Sequence, residues 1–112
     1  VGDATQTRRA SSGHSMETHG YASGGYTASF TISNVIDKFP FSSDANATDV
    51  GDLTATFFDN SGTSSTTHGY SAGGQVPANT DVIQKFAYAA DGNATDVGDL
   101  VRNNRRTTGT QD

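Results

Sequence analysis

The residues best suited to chemistry lie in DANATDVGDL, residues 44–53, and in its near copy DGNATDVGDL, residues 91–100. Counting Asp44 as position one, oxygen-bearing side chains fall at one, three, five and nine: Asp44, Asn46, Thr48 and Asp52. The second copy supplies Asp91, Asn93, Thr95 and Asp99 in the same places. Alternate residues of a tight loop turn their oxygens to one side, and calcium takes about six to eight oxygens, several of them charged. These eight residues are the candidate ligands, and calcium is the only cofactor that the chain suggests. The competing role is a polar turn whose Asp and Asn side chains bond the loop's own amides. An EF-hand is excluded, because no Glu stands at position twelve.

A second candidate set is His19 with Tyr21, and His68 with Tyr70. Residues two apart on a strand share a face, so each pair could stack on a sugar ring and bond its hydroxyls. The alternative is structural, with Tyr packed between repeats and His bonded to a neighbouring backbone. Catalysis finds no support. Ser15 beside His14 lacks a nucleophile turn and a third partner, and the histidines are too few and too far apart for zinc. No glycine-rich loop leads into a helix, as phosphate binding would need. Asn46-Ala-Thr and Asn93-Ala-Thr are glycosylation sequons in form, yet they come from one duplicated loop and count once.

Composition explains what must position these residues. Val, Ile, Leu and Phe make up 18 of 112 residues, a share below the roughly 20% at which a chain readily builds its own core. Gly, Ser, Thr, Ala, Asn and Asp dominate the remainder, and aromatics are spaced throughout. Such a chain makes a tightly spaced sheet and completes its core with other copies of itself. A net charge of −5 argues against nucleic acid as a partner. Arg102, Arg105 and Arg106 read as a solvated face. There is no cysteine, hence no disulfide or thiolate site. No apolar run approaches a membrane span or a signal-peptide core, so no membrane insertion is expected.

The organising feature is a tandem repeat. Residues 1–21 align without a gap on 50–70, and VIDKFPFSSDANATDVGDL aligns on VIQKFAYAADGNATDVGDL. The units are 1–49 and 50–96, followed by 97–112 as part of a third that matches the start of the chain. Each unit reads as four short strands. The first covers about 9–16 or 58–65, and the second is HGYASGG or HGYSAGG. The third is VIDKFPF or its copy, with Val35, Asp37, Phe39 and Phe41 on one face and Ile36, Lys38 and Pro40 on the other. Pro40 lacks a donor and marks an interrupted ladder or an edge. The fourth strand is expected after VGD, at 52–56 and 99–102, which makes NATDVGD the joint before it. No segment has the length and caps of a helix, so the class is all-β.

Four strands in about 50 residues is the arithmetic of a β-propeller blade of antiparallel strands. The unit resembles Kelch-type repeats in its Tyr ahead of paired glycines, Gly24–Gly25 and Gly73–Gly74, its variable loop, its V-x-x-x-F strand and its polar turn. It departs from them in lacking the Trp of the last strand. The wording RRASSGHS, THGYASGG and VIDKFPFSSDANATDVGDL looks like the propeller-like repeats of marine bacteriophage structural proteins. The 44–53 loop also resembles the calcium loops of integrin-type propellers, apart from Thr48 and Asp49 where those have Asp and Gly. These resemblances imply a virion or extracellular location, a structural or adhesive role with cell-surface glycan as ligand, and no enzyme activity. The alternative is a pure scaffold, including an excised or engineered propeller fragment. About two blades per chain imply a ring completed by oligomerisation, with a homotrimer favoured over a tetramer or an open filament. The 97–112 overhang would then pair with a neighbouring chain or compete with that chain's beginning.

Overall fold

In the computed structural model the described residues are 2–27, 31–76 and 78–104. They contain eleven strands and no helix, in agreement with the all-β expectation. The strands are β1 (Arg8–Arg9), β2 (Ser12–Ser15), β3 (His19–Ser23), β4 (Tyr26–Thr27), β5 (Val35–Pro40), β6 (Thr48–Asp52), β7 (Ser61–Ser64), β8 (His68–Ala72), β9 (Gln75–Val76), β10 (Ala78–Ala87) and β11 (Thr95–Asn104). Two four-stranded antiparallel paths match the repeat: β2-β3-β5-β6 in the first unit and β7-β8-β10-β11 in the second. β1 pairs with β4 in a small separate ladder, and β9 forms a hairpin with the start of β10.

Register sets the faces. In the first sheet Tyr21 lies opposite His14 and Lys38, while Gly20 lies opposite Phe39. Directly paired residues share a face, so Tyr21 and His14 point one way and Phe39 the other. The second sheet repeats this, with Tyr70 opposite Thr63 and Lys85, and Gly69 opposite Phe86. The Tyr21 face of the first sheet packs on the Phe86 face of the second, and the buried cluster forms there from Tyr21, Ile36, Leu53, Phe57, Phe86, Tyr88 and Ala94. The glycines opposite the aromatic rings are required by space, since a Cβ on Gly69 would lie 2.4 Å from Phe86.

Two expectations are corrected. In the first repeat the fourth strand does not follow VGD at 52–56 but is TDVGD itself, Thr48–Asp52 in β6; in the second, β11 contains the expected 99–102 and starts earlier, at Thr95. The bulges between Ile36 and Asp37 and between Ile83 and Gln84 absorb the mismatch as Asp and Gly enter the ladder. The second correction concerns the residues after VGD, which differ between the copies. Beyond Asp52 the chain leaves the sheet, whereas β11 runs on to Asn104 beside the extended β10. Pro40 fits its expected place, paired with His19 at the end of β5 beyond the last residue matched in β6. Arg105 and Arg106 lie outside the described residues, as do positions 28–30 of the first variable loop.

Candidate functional site

The NATDVGDL stretches act as clasps. Asn46 Oδ1 accepts a hydrogen bond from the Asp3 amide at 2.9 Å, and Asn93 Oδ1 accepts one from the Asp52 amide at 3.0 Å. Each loop also returns a bond: the Ala47 amide donates to Asp3 O at 2.7 Å, and the Ala94 amide to Asp52 O at 2.8 Å. Every NAT loop thus holds the VGD segment one repeat earlier in the chain. The fit is close. A Cβ on Gly2 would lie 1.9 Å from Ala45 O, and a Cβ on Gly51 would lie 2.1 Å from Gly92 O. At the third VGD, Gly98 has open space around it.

The clasps bear on the candidate calcium ligands. Asn46 and Asn93 already serve amides, Thr48 and Asp52 stand in β6, and Thr95 and Asp99 stand in β11. Asp44 and Asp91 are exposed, and Asp91 lies 3.4 Å from Lys38 Nζ. Among the described residues no group of three His, Cys, Asp or Glu side chains is gathered as a metal site. We expect Asn93→Ala to lower the unfolding free energy by about 1 kcal/mol, the worth of one such bond. In the same urea titration a chelator should leave the wild-type midpoint unmoved, and a drop would assign the loop to calcium instead.

Behind the first clasp lies a buried ion pair. Asp37 is fully buried, with side-chain exposures of 4% for Arg8 and 0% for Asp37 at an N–O distance of 2.9 Å. Asp37 also accepts from the Thr5 amide at 2.9 Å and from the Thr5 hydroxyl at 2.5 Å. Arg8 Nη1 donates to Gly24 O and Val35 O. In the second repeat the places of Arg8 and Asp37 are taken by Phe57 and Gln84, both buried, and the Thr54 amide bonds Gln84 Oε1 at 2.8 Å. The amide bond is kept while a charge pair becomes an aromatic and an amide. Sequence reading missed this site, although comparing the two copies position by position exposes the coordinated change.

Between the sheets, Tyr21 stacks on Tyr88 with ring centroids 4.7 Å apart, and Phe86 meets His14 edge-on at 5.0 Å. The stacking covers the ring face of Tyr21 that a sugar would need. His19 and His68 each bond the preceding threonine hydroxyl through Nδ1 at 2.8 Å. Tyr70, half-buried, lies 6.3 Å from His68 on the outward face of the second sheet. Of the four candidate sugar contacts, His68 and Tyr70 are thus brought together on an outward face, and Tyr21 is enclosed. The paired glycines sit in the left-handed region, with φ of 67° and 99° at Gly24–Gly25 and 67° and 101° at Gly73–Gly74. Gly25 donates to Phe57 O and so ties one repeat to the next.

His14 carries no site motif in the sequence, yet it centres a buried polar knot. Its Nδ1 lies 3.2 Å from Thr63 O, which can only accept, so Nδ1 carries the proton. Nε2 then accepts from Ser23 at 2.9 Å, with Ser12, Asn60 and Ser71 continuing the network. Burial lowers the His14 pKa from 6.5 to about 4, against the pull of the Thr63 carbonyl. The unfolded chain therefore binds the proton more readily than the folded one between these values. Stability contributed by neutral His14 is complete above pH 6.5 and drains as pH falls toward 4. The full loss is about 3 kcal/mol. Urea midpoints at pH 7 and pH 5 should show this slope in the wild type and lack it in His14→Gln.

The aromatics that the second repeat buries, the first repeat exposes. Phe86 and Tyr88 are 3% and 6% exposed, while their counterparts Phe39 and Phe41 are 37% and 55% exposed. A cleft of about 460 Å³ lies beside them, bounded by Asp3, Asp37, Phe39, Phe41 and Ala45. The other exposed large apolar residues among those described are Val97 and Val101, both on β11. The chain matches no protein-family model, and comparison with curated proteins finds no match.

Proposed function

We propose that the chain is a non-enzymatic, self-assembling β-propeller repeat module of the phage structural or adhesion type, whose four-stranded sheets are blades that join head to tail. One observation carries this reading: both halves of the sheet-to-sheet contact inside the chain recur on the outer faces of the two sheets, with Phe39 and Phe41 exposed and Tyr70 and Thr63 half-buried. Phe39, Phe41 and Gly20 present the half that Phe86, Tyr88 and Gly69 fill internally. Tyr70 and Thr63 present the half that Tyr21 and His14 fill internally. Such a contact is heterologous, so copies close into a ring, a trimer being favoured for six blades, or extend as a filament. A glycan would meet the outward His68–Tyr70 face or the loops.

Light scattering tests this reading. The mass should rise above the 11.6 kDa of one chain with concentration, and Phe41→Asp, which places a charge in the contact, should restore one chain. A wild-type mass of one chain at every concentration up to about 1 mM, a level at which even weak contacts of ~4 kcal/mol register, would overturn it.

A further inference from the structure

Residues 2–8 form no part of the two large sheets; β1 begins only at Arg8. They lie as a strap over the Ala45–Ala47 loop and Asp37, held by the Asn46 clasp, the two Thr5 bonds and the Arg8 ion pair. Gly2, Asp3, Ala4 and Thr5 remain exposed, so the strap rests at the surface, with only its Asp37-bonding groups driven inward. In the second repeat the corresponding groove is filled by residues 51–54, which arrive from the first sheet. The groove is thus a receptor for the chain as it leaves a preceding sheet, and in the first repeat residues 2–8 occupy it.

The third VGD has no such receptor among the described residues. Gly98 stands in open space, and Val101 is 101% exposed. Aligned on the strap, VGDLVRNN (97–104) places Val101 where Thr5 stands and Asn104 where Arg8 stands. Neither replacement suits Asp37. Valine has no hydroxyl to donate, and asparagine brings no charge. A buried carboxylate deprived of its guanidinium is strongly disfavoured. Gln84 shows the alternative: a neutral side chain at this place still accepts the incoming amide and makes no demand for a cation.

We propose that residues 2–8 are an intramolecular plug in a strand-receiving groove, and that Asp37 selects the plug over the 97–104 segment of a second copy by requiring a hydroxyl and a guanidinium. The partner is a second copy of this chain, and the groove reads its VGD segment at the fifth and eighth residues. The selection rests on the head-to-tail reading above for its role in assembly. The groove and its preference stand apart from that reading.

The test therefore uses peptides rather than chain–chain association. A labelled VGDLVRNN peptide is titrated by fluorescence anisotropy against the wild-type chain, Asp37→Gln, and the double variant Arg8→Phe with Asp37→Gln. The double variant reproduces the pair that the second repeat already folds around. Circular dichroism checks that each chain is folded. The peptide should bind Asp37→Gln or the double variant at least tenfold more tightly than the wild type. A VGDATQTR peptide should show the opposite preference. Equal binding of VGDLVRNN to wild type and variants would overturn the proposal, as would failure to bind folded variants at all. Light scattering of the same chains separates the two ideas. If Phe41→Asp abolishes association while Asp37→Gln leaves its concentration dependence unchanged, head-to-tail assembly stands and the plug falls.

Discussion

Alanine in place of Phe86 is expected to cost about 3–5 kcal/mol of stability, the usual penalty for deleting a buried aromatic ring. The ring is 3% exposed and sits where the two sheets meet. It contacts His14 edge-on, leans on Tyr21 at 5.6 Å and meets Tyr88 at 5.9 Å. Gly69 lies directly beneath it and has no side chain of its own to fill the space. Removing the ring also uncovers the His14 knot. Phe39 is the internal control, because it occupies the same place in the repeat, after Val-Ile-x-Lys in both copies. Exposed at 37%, it should lose about 1 kcal/mol or less on the same change. Urea unfolding of the two variants checks the difference. Equal losses would mean that the sheets do not pack as described.

The second large effect is expected at Arg8. Arg8→Ala strips the guanidinium from a carboxylate that is fully buried, and breaking such a pair from one side costs about 3–5 kcal/mol. The Thr5 amide and hydroxyl continue to bond Asp37, but neither neutralises it. Replacing both partners is a different matter. Arg8→Phe with Asp37→Gln installs the combination that the second repeat buries at the same place, and well-matched apolar and neutral groups often equal a buried ion pair. The double variant should therefore recover most of the loss. A double variant as unstable as Arg8→Ala would show that the two repeats do not share a local environment, and the comparison between them would fail.

How much of this is legible in the sequence depends on which properties are local. The 47-residue spacing of NATDVGDL, the period-two pattern of VIDKFPF and the paired glycines encode the repeat unit, the four strands and the tight turns. Those are set by neighbours within a few positions. VGD reads as a joint because Asp and Gly argue against a strand, and only the bulged ladder with β5 and the clasp from Asn93 make it one. Tertiary contact overrides local preference there.

Which copy of each aromatic is buried lies beyond the sequence. Phe39 and Phe86 hold the same place in the Val-Ile-x-Lys-Phe strand, and the packing of the first sheet against the second is what buries Phe86. The Arg8–Asp37 pair spans 29 positions and lacks any local signal. Its one trace is comparative: the charge lost at Phe57 and the charge lost at Gln84 are lost together. His14 is hidden for a similar reason, since its partners come from both repeats.

The most direct measurement exploits the absence of cysteine from the chain. Two single variants, Phe41→Cys and Tyr70→Cys, would be mixed in equal amounts and oxidised gently. Their counterparts within the chain, Tyr88 and Tyr21, have ring centroids 4.7 Å apart. Head-to-tail contact brings Phe41 of one copy against Tyr70 of another, so the mixed disulfide should dominate over both symmetric ones. Symmetric Phe41→Cys dimers in excess, or a statistical mixture of all three products, would contradict it.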